Sequence, residues 1–392
     1  HPTHAGRVWL GRSVRLRPVR GQAAIAGIAE TPFYRGSPRL PIELMLDASL
    51  EAIADAGLAP SDIDGICAPP GFTSAEELAA NLGIEDLGFS AITAVGGASS
   101  VAGIRNAAMA VATGVATSVL VVVGWNGYSW MRPRDGVAVP RHGLAMSSAQ
   151  DVVVDVMVPQ GAIGATQFYA PLANDYRRRR GITDDDGAAF AMAMRRHAHR
   201  HPLAVMRDTP MTTEDYFESS MLSEPFRKLD CCLETDAAAA VVVTSVQRAA
   251  DAPHGVVAIL GVGEGRPEPA DDIAGRSDLL RIGLSGAAPR AFAMADLTPT
   301  DLDVVGVYDC FTYVAMLQLE VLGVVGEGEA GIAAREGRFD LGGALPVNTH
   351  GGLLSQGHMW GMNHVIEMTR QIRGEAGERQ VPGARLSAVT GW

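Results

Sequence analysis

Glycine and histidine are concentrated in one segment near the end of the sequence. The stretch VNTHGGLLSQGHMWGMNH, from Val347 to His364, holds four glycines and three histidines, which include His350 and His358. Glycine reaches backbone conformations with positive φ and lets a ligand or another backbone approach closely. Histidine is the side chain whose ordinary pKa lies near physiological pH. The segment therefore predicts tight turns that present imidazoles to a buried ligand, and a glycine-rich turn with incidental surface histidines stays open as the alternative.

Two other stretches contain residue types that can bind ligands. HAHRHP places His197 and His201 on one face of a predicted helix, a spacing that can bind a metal. No cysteine or carboxylate cluster lies nearby in the sequence, so we favour a surface helix end before Pro202. The glycines of GVGEG, Gly261–Gly265, are followed by RPEP rather than by a helix, which excludes a dinucleotide fingerprint. The sequence thus predicts no metal site.

Composition restricts the class of partner. The 392 residues carry a formal net charge of −12, which argues against nucleic acid and anionic membranes. The longest apolar runs, such as VLVVVGW at Val119–Trp125, are far too short to span a bilayer. The four cysteines show neither metal-ligand spacing nor a disulfide framework, which favours a reducing cytoplasm. The first twenty residues carry five arginines and no acidic residue, and they predict a disordered or loosely packed extension.

The sequence contains an internal repeat. AIADAGLAPSDIDGI, at Ala52–Ile66, matches AFAMADLTPTDLDVV, at Ala291–Val305, with one constant offset over fifteen positions. The matched pairs are Pro60 and Pro299, Asp62 and Asp301, and Asp64 and Asp303. Both copies predict a helix end, a turn and an apolar strand. A duplicated α/β half is therefore predicted.

Helices and apolar strands alternate around this repeat. Pro41–Gly57 and Ser99–Gly114 have start signals, helical spacing and a glycine stop, and Val119–Val123 predicts a strand buried on both faces. Further strands are predicted at Ala237–Thr244, Val256–Val262, Val304–Val307 and Ser387–Gly391. Such alternation indicates a sheet covered by helices.

Between Trp125 and Glu234 the pattern loosens into local helices with few strand signals, and we predict an insertion over a sheet edge. Its stretch RRRRGITDDD, Arg177–Asp186, predicts a helix that ends in cations, followed by one that begins with Thr183 as N-cap and three aspartates. We favour this structural role over anion binding.

Several separate stretches, in the same order along the chain, resemble the thiolase superfamily. They are IAGIAETPF, SLEAIADAGLAPSDIDGI, KLDCCLETDAAAAVVV, VYDCFT and NTHGGLLSQGHMWGMNH. The resemblance covers about Gln22 to Trp392 and is strongest to sterol-carrier-protein-type thiolases and their lipid-transfer-protein relatives. It implies an α/β, thiolase-like five-layer αβαβα fold made of two duplicated α/β halves with an inserted loop region. The implied domains are a basic extension at 1–21, an N-terminal half at 22–255 with the insertion at about 126–234, and a C-terminal half at 256–392.

The resemblance also shows what this chain lacks. Thiolases use a cysteine at the N-terminus of a buried helix, where the thiol is a better nucleophile. The matching stretch, GGASSVAG, has Ala98 at that position, and the second family cysteine falls at about Val389. Cys231 and Cys232 lie in a stretch that belongs to the framework in this family. A Claisen condensation through a covalent thioester is therefore disfavoured.

The residues that the resemblance implies for positioning the thioester oxygen are retained in part. The histidine of the family's Gly-His-Pro-x-Gly motif matches His358 in GHMWG, and Tyr308 stands first in YDCF. We assign catalytic roles to Tyr308, His358 and His350, with a substrate or oxyanion pocket at Gly97, Ala98, Asp309, Gly351, Gly352 and Gly357. In this interpretation the glycines let the backbone approach a thioester. Tyr308 as a core tyrosine and His350 as a loop brace are the alternatives; His364 is taken as structural.

A site that stabilises a thioester enolate without a nucleophile suits retro-aldol cleavage of a β-hydroxyacyl thioester. This resembles the steroid side-chain-cleaving aldolases of the superfamily, which use the tyrosine of a Tyr-Asp-x-Phe motif and tend to carry a second tyrosine where this chain has His358. We expect Tyr308 to take the β-hydroxyl proton, directly or through water, and His358 to donate to the thioester oxygen. A non-catalytic acyl-CoA or lipid-binding subunit and a divergent thiolase stay open.

The same resemblance implies partners. We expect an acyl-CoA substrate, in which CoA is part of the substrate rather than a separate cofactor. We also expect a homodimer formed across a sheet edge. A small partner protein that combines an OB fold and a zinc ribbon is expected to form a hetero-oligomer with the chain. No resident metal or other cofactor is expected.

Overall fold

The computed structural model of the chain describes residues 19–70, 73–132, 157–269 and 273–392. Most of the predicted N-terminal extension and residues 133–156 of the predicted insertion lie outside the described residues. The strands are β1 (Ala23–Glu30), β2 (Gly65–Ala68), β3 (Phe89–Ile92), β4 (Ser118–Asn126), β5 (Met221–Ser223), β6 (Phe226–Arg227), β7 (Asp236–Ser245), β8 (Val257–Ala258), β9 (Val304–Gly306) and β10 (Ser387–Val389).

Helices occupy most of the remaining described chain. They are α1 (Pro41–Asp55), α2 (Ala75–Leu82), α3 (Ser99–Thr113), α4 (Gly127–Met131), α5 (Ala165–Arg180), α6 (Asp184–Ala198), α7 (Thr213–Glu218), α8 (Val246–Ala249), α9 (Leu284–Ala295), α10 (Thr312–Leu322), α11 (Ala330–Arg335), α12 (Gly352–Ser355) and α13 (Met362–Arg373). Within the described residues, no helix is long and apolar enough to cross a membrane.

Six strands form the first sheet, in the order β3-β2-β4-β7-β1-β8. Strand β2 runs parallel to β3 and β4, whereas β7 runs antiparallel to both of its neighbours, β4 and β1. Alternate residues of β4 face different helix layers: Leu120 and Val122 pack with α1 and α2, whereas Val119 and Val121 pack with α3 and α13. The prediction of a strand buried on both faces is therefore confirmed.

The second sheet is smaller and lies on the other side of α3 and α13. Strand β10 runs parallel to β9, and Val347 adds a parallel bridge to Val305 on the far side of β9. Val304 packs against Met368 of α13, whereas Val305 faces the core that contains α10. Helices α9 and α10 cover that outer side, so the layers alternate helix, sheet, helix, sheet and helix.

The two copies of the predicted repeat make equivalent hydrogen bonds. In the first half, the carboxylate of Asp64 accepts from the backbone N–H groups of Thr117 and Ser118 at the start of β4, each at 2.9 Å. In the second half, the matching Asp303 accepts from the N–H groups of Arg385 and Leu386, at 2.8 and 2.9 Å, just before β10. Strand β4 of the first half and strand β10 of the second half are therefore equivalent.

The strands of the second half are shorter than the sequence predicts. Val256–Val262 contributes only Val257–Ala258 as β8, and Ser387–Gly391 contributes Ser387–Val389 as β10. A strand extends only where a neighbour offers backbone partners, and within the described residues β8 pairs only with β1 and β10 only with β9.

Two histidines of the insertion lie elsewhere than predicted. His197 is buried, donating from Nδ1 to the carbonyl of Asn348 at 3.2 Å and accepting at Nε2 from the N–H of Leu341 at 2.9 Å. His201 is also buried, beside Glu30. The prediction of a surface helix end is wrong for both, because α6 packs its C-terminal turn against the segment that carries the candidate site.

The N-cap in the insertion is confirmed. Helix α5 ends in four arginines, and α6 begins after Thr183, whose hydroxyl oxygen accepts from the N–H of Asp186 at 3.4 Å.

The described residues contain no group of three or more histidine, cysteine, aspartate or glutamate side chains that could hold a metal ion.

Candidate active site

The backbone of Tyr308, just after β9, is fixed by two side-chain hydrogen bonds. Its N–H donates to Oγ1 of Thr390 at 3.0 Å, and its carbonyl accepts from Nε2 of Gln318 at 2.7 Å. The Thr390 hydroxyl donates to Oε1 of Gln318 at 2.7 Å, which closes the ring of contacts. The end of β10 and one face of α10 therefore hold Tyr308 in place together.

The ring of Tyr308 is packed between two glycines. A Cβ atom added at Gly97 would lie 2.2 Å from Cζ and 2.3 Å from the hydroxyl oxygen of Tyr308, and one added at Gly361 would lie 3.0 Å from Cδ2. Gly97 precedes α3 in a short 3-10 turn formed by Gly96–Ala98. The phenol therefore lies directly against the chain at the N-terminus of α3, a position that only glycine permits.

His358 is the hydrogen-bond partner of this phenol. Its Nε2 atom lies 3.1 Å from the hydroxyl oxygen of Tyr308. Thr235 fixes the histidine backbone, since its hydroxyl accepts from the N–H of His358 and donates to its carbonyl, each at 3.0 Å. The ring of Trp125 lies 5.3 Å from the imidazole. No described residue bonds to Nδ1 of His358.

Burial keeps both groups uncharged. It raises the pKa of Tyr308 well above its ordinary value, with smaller contributions from nearby thiols, Tyr169 and Asp309. Burial, with a lesser effect of His364, lowers the pKa of His358 to about 4. At neutral pH the pair therefore consists of a protonated phenol and a neutral imidazole, which share one hydrogen bond.

The structure places His350 in a separate buried cluster. Its Nε2 lies 2.9 Å from Nδ1 of His364, and the His364 ring lies 6.3 Å from that of Tyr308. Burial, and next the neighbouring His364, lower the pKa of His350 well below its ordinary value. Asp309, 3.4 Å from Nε2 of His364, accepts from the N–H of Leu353 at 2.8 Å at the start of α12. These side chains lie behind Tyr308 and brace its loop.

Three glycines that the sequence assigns to the substrate pocket lie directly against other parts of the protein. A Cβ atom at Gly351 would lie 2.8 Å from Cβ of Ala198, and one at Gly352 would lie 1.9 Å from an Asp309 oxygen. At Gly357 it would lie 2.3 Å from Phe33. Whereas the sequence predicts that these glycines let a thioester approach, in the structure they let α6, Asp309 and the loop after β1 approach.

A cavity of about 350 Å³ lies on the other side of Gly97. Its lining is largely apolar and includes Gly96–Ala98, Val101, Tyr169, Gly263–Pro267, Ile282–Leu284 and Val389–Trp392. Arg105, Arg266 and Arg276 also line it, and Glu264 pairs with the first two. The GVGEG stretch, which lacks the context of a dinucleotide site, thus supplies a cavity wall.

Sequence reasoning missed the residues that position the pair. Thr235, Gln318 and Thr390 are ordinary framework residues in the sequence, and their contacts to Tyr308 and His358 span between 10 and 123 positions. In the sequence, Trp125 is only the end of an apolar run. No local pattern marks such long-range partners.

Comparison with known proteins places this site in a family. The family profile described as "Thiolase C-terminal domain-like" matches residues 267–392. A "Steroid side-chain-cleaving aldolase" of Thermomonospora curvata is 37% identical over 359 residues, 90% of this chain and 91% of the relative. A "17-hydroxy-3-oxo-4-pregnene-20-carboxyl-CoA lyase" of Mycobacterium tuberculosis is 38% identical over 369 residues, 90% of this chain and 92% of the relative. The chain belongs to the thiolase superfamily.

Solved structures agree with this membership. The "Ltp2-ChsH2(DUF35) aldolase" superposes with a TM-score of 0.88 at 35% identity, covering 95% of each chain. A human mitochondrial 3-ketoacyl-CoA thiolase superposes with a TM-score of 0.65 at 15% identity and shares the fold. Within the thiolase superfamily, this chain lies in the lipid-transfer-protein branch that lacks the nucleophilic cysteine, and the predicted thiolase-like fold is confirmed.

This chain has no cysteine at position 98, where the resemblance to thiolases implies the nucleophilic cysteine. Ala98 is the N-cap residue of α3, where its side chain makes no capping hydrogen bond, and its methyl group lies against Gly391. Burial raises the pKa of Cys67 and of Cys232 to about 12, and burial also raises the pKa of Cys310 far above its ordinary value. Because thiolate is the nucleophilic form, these cysteines stay inert at neutral pH.

Proposed function

We propose that this protein is an acyl-CoA retro-aldolase that cleaves a bulky, steroid-type β-hydroxyacyl-CoA into a ketone and a short acyl-CoA. The observation that carries the proposal is the Tyr308–His358 hydrogen bond, at the helix N-terminus where Ala98 replaces a nucleophile. A phenol–imidazole pair can move a proton, and the methyl group of Ala98 cannot form an acyl-enzyme. The names of the relatives, a side-chain-cleaving aldolase and a carboxyl-CoA lyase, support the same reaction class.

In the proposed first step, the phenol oxygen of Tyr308 takes the proton of the β-hydroxyl group while its own proton passes to Nε2 of His358. The neutral imidazole can accept that proton, whereas a buried phenol alone is a poor base. The bond between the α and β carbons then breaks. Its electron pair moves into the thioester, which becomes an enolate, and the β carbon becomes the ketone carbon.

The second step returns the proton. The imidazolium of His358 gives its proton back to Tyr308, and the Tyr308 hydroxyl protonates the α carbon of the enolate to release the short acyl-CoA. One proton therefore moves from oxygen to carbon, and no external oxidant, reductant or base is consumed. This differs from our expectation that His358 donates to the thioester oxygen, because its Nε2 faces Tyr308.

Backbone groups at the start of α3 are suited to stabilise the enolate. The N–H groups of Ala98 and Ser99 already donate to the carbonyls of Val95 and Gly96, so what this helix end offers is the partial positive charge of its aligned peptide dipoles. Fixed dipoles of this kind stabilise a developing oxyanion without reorganisation. The enolate oxygen would lie beside Ala98, within reach of the Tyr308 hydroxyl that protonates the adjacent carbon.

The apolar cavity beyond Gly97 is suited to the part of the substrate that becomes the ketone. Its volume of about 350 Å³ and its mainly apolar lining fit a rigid hydrocarbon body. The guanidinium groups of Arg105 and Arg276 also line the cavity, and that of Arg105 is paired with Glu264. We therefore assign the ring system to this cavity.

The test is incubation with a 17-hydroxy steroid acyl-CoA that carries a short side chain, with chromatographic detection of acetyl-CoA or propionyl-CoA and of the 17-ketone. Equal molar release of both products supports the aldolase. If neither product forms, with or without the partner described below, the non-catalytic acyl-CoA-binding subunit becomes the better account. The Tyr308→Phe variant is the matched control, because it retains the ring and the cavity.

We also propose that the protein functions in a hetero-oligomer with a small partner that combines an OB fold and a zinc ribbon. The similar aldolase structure contains a second component, designated ChsH2(DUF35). Co-purification of the two chains as a complex of fixed stoichiometry would support this proposal, and full activity of the separate chain, unchanged by the partner, would contradict it.

A homodimer across the edge strand β3 is proposed for the same assembly. This strand has one neighbour, β2, and its outer edge carries an exposed Ile92. Unpaired edges readily accept a second strand. Ile92→Lys should shift the assembly to monomers in analytical ultracentrifugation; an unchanged mass would place the contact elsewhere.

A further inference from the structure

The loop that carries His358 has an unusual backbone. This loop, the His358 loop, comprises residues 356–361 and connects α12 to α13. Trp360, two residues after His358, has a φ of +52°, in the left-handed region that side chains other than asparagine and aspartate rarely adopt. Such a conformation persists only where the surrounding structure imposes it. Contacts around His358 must therefore hold this loop in place.

The His358 loop packs on the ends of two paired strands of the first sheet. Strands β1 and β7 are antiparallel neighbours there. Thr235, just before β7, bonds to the N–H and to the carbonyl of His358. Phe33, shortly after β1, lies beneath Gly357, where an added Cβ atom would come within 2.3 Å of its ring. The first sheet therefore supports the loop directly.

A chain of three buried side chains adds a further support. Nε2 of Gln356 donates to Oε2 of Glu30, the last residue of β1, at 3.1 Å. Oε1 of Gln356 accepts from Nδ2 of Asn363 at 2.8 Å, and the same Nδ2 donates to the carbonyl of Gly357 at 3.2 Å. The side chain of Glu30 and the residues Gln356 and Asn363 are each 1% exposed. The chain thus connects β1 to the peptide group that joins Gly357 to His358.

The hydrogen bonds of this chain allow only one arrangement. Its two ends, the carboxylate of Glu30 and the carbonyl of Gly357, are oxygen acceptors. Asn363 must therefore direct its NH2 group at Gly357, which leaves the carbonyl oxygen of Gln356 as the acceptor for Asn363. The NH2 group of Gln356 then faces Glu30, and rotating either amide would bring two oxygens or two N–H groups face to face. The chain therefore fixes the loop in one position.

Only a carboxylate can serve both neighbours of Glu30. Its Oε2 accepts from Gln356, and its Oε1 accepts from Nη1 of Arg370 on α13 at 2.6 Å. An amide of the same shape has one acceptor oxygen, so it would turn an NH2 group toward one of these two donors. The guanidinium of Arg370 also compensates the buried negative charge, which would otherwise be costly. Charge and shape at position 30 thus both suit the support of Gln356.

We propose that Glu30 is a positioning residue of the active site. Through its chain of hydrogen bonds, it holds the His358 loop so that Nε2 of His358 stays 3.1 Å from the hydroxyl oxygen of Tyr308. Without Glu30, the strained backbone at Trp360 can relax and move the imidazole. A shift of about 1 Å at a catalytic group can lower a rate about 10²-fold. The effect on turnover rests on the proposed function, whereas the effect on the loop does not.

A second buried network of the same kind supplies a control. The carboxylate of Glu367 accepts from Arg379 at 2.9 Å and from Nε2 of Gln371 at 3.3 Å. It also accepts from the hydroxyl of Thr349 at 2.7 Å. This network therefore holds the glycine-histidine segment near its start, at Thr349, rather than at the loop. Gln371→Leu removes a buried amide that contacts a paired carboxylate, so it controls for lost stability.

The first test is kinetic and uses the full chain. Glu30→Gln should lower kcat at least about tenfold, because the new amide cannot accept from both donors. KM for the acyl-CoA should stay within about twofold, since neither Glu30 nor Gln356 lines the cavity beyond Gly97. Adding Arg370→Met removes the competing donor, so the new amide can accept from Gln356 and kcat should recover to within about threefold of the wild type. A residue that serves stability alone would lose further activity with the second substitution.

The second test needs no substrate. Hydrogen–deuterium exchange of residues 356–362 should accelerate at least about tenfold in Glu30→Gln and return toward the wild-type rate in the double variant. Gln356→Leu, which leaves the ion pair of Glu30 and Arg370 intact, should accelerate exchange of the same residues and serves if Glu30→Gln fails to fold. Gln371→Leu should leave exchange in this range and turnover unchanged, while it lowers the melting temperature.

Three results overturn the proposal. Unchanged exchange of the loop in both Glu30→Gln and Gln356→Leu would show that the chain does not hold it. An equal loss of turnover in Gln371→Leu would show that any buried polar deletion has the same effect. A double variant slower than Glu30→Gln would show that the contact to Gln356 is not what matters. Faster exchange in a chain that releases no product from the test substrate would support the loop contact and contradict the aldolase, so the two failures are distinguishable.

Discussion

The hydroxyl oxygen of Tyr308 lies 3.1 Å from Nε2 of His358, and fifty residues separate the two in sequence. Burial favours the neutral form of both, so the pair has one mobile proton and no net charge. Neither group alone is a good base in this environment. Together they can accept one proton at the tyrosine oxygen while the imidazole takes another, which is the chemistry that retro-aldol cleavage requires.

Tyr308→Phe should reduce turnover by about 10²–10⁴-fold, because it removes the hydroxyl that exchanges protons with the substrate. The melting temperature should change little, since the ring and its contacts with Gly97 and Gly361 remain. Steady-state kinetics and calorimetry are the measurements. Tyr176→Phe is the matched control: its buried hydroxyl bonds to Glu320, so stability should fall slightly and turnover should not. A fully active Tyr308→Phe variant would remove Tyr308 from the mechanism.

His358→Gln should reduce turnover by about 10²–10³-fold, because the amide can hydrogen-bond to Tyr308 but cannot accept its proton. The sharper measurement is the double variant with Tyr308→Phe. If the two residues act as one unit, the double variant should be no slower than the slower single variant. Fully multiplicative losses would show that the residues act independently. His254→Gln, at a surface ion pair with Asp55 and Glu375, is the control.

Gly97→Ala should reduce turnover on the order of 10²-fold, because the new methyl group would occupy the position of the Tyr308 phenol and displace it. The KM for the acyl-CoA should change less than kcat, since the cavity walls remain. Gly88→Ala is the matched control, as a Cβ atom there would meet its nearest neighbour at an ordinary 3.6 Å. Equal activity of both variants would show that Tyr308 tolerates movement.

Ala98→Cys should give a reactive thiol without thiolase activity. The start of α3 lowers the pKa of a thiol placed there, so iodoacetamide should modify the new cysteine faster than Cys67 or Cys310, which are buried. Acyl transfer to CoA should not occur, because Val389 occupies the approximate position of the second cysteine. Mass spectrometry checks the modification, and a thiolysis assay checks the activity. Appearance of thiolysis would contradict our inference that a single restored cysteine is insufficient for acyl transfer.

The free energy of unfolding should fall as the pH falls from about 6.5 to 4. Burial lowers the pKa of His197, His201 and His358 to about 4, whereas in the unfolded chain each titrates near 6.5. In that pH window the unfolded state binds more protons, so stability rises with pH and is fully present above about 6.5. Each histidine contributes at most about 3 kcal/mol.

Urea denaturation at a series of pH values measures this dependence. His197→Asn should reduce the slope of the unfolding free energy against pH, because one buried imidazole is removed. The reduction should correspond to at most one bound proton. A slope that His197→Asn does not alter would show that His197 is protonated in the folded protein.

Much of the architecture was predictable from local patterns. The repeat shared by Ala52–Ile66 and Ala291–Val305 predicted the duplicated halves, because a proline, capping aspartates and an apolar strand force the same local path twice. Val119–Val123 predicted a strand buried on both faces, because it has no polar alternation. Thr183 predicted a helix start by its side-chain chemistry. Each is a property of neighbours in sequence.

Other features required the tertiary structure. His197 and His201 look like surface residues in sequence, yet α6 turns them into the interior against the segment that carries His350. Val256–Val262 has the composition of a strand, yet within the described residues only Val257 and Ala258 pair, and their partners lie far away in sequence, on β1. Composition cannot tell whether a neighbour is present.

For the candidate site, the sequence by itself determined which residue types are present: an alanine at position 98 in place of a nucleophile, and a tyrosine and a histidine in glycine-rich surroundings. The tertiary structure decided the geometry. It placed Tyr308 against Gly97, directed Nε2 of His358 at the phenol, and placed His350 beside His364. The physical reason is that side-chain chemistry resides in single residues, whereas hydrogen-bond direction and burial depend on segments far apart in the chain.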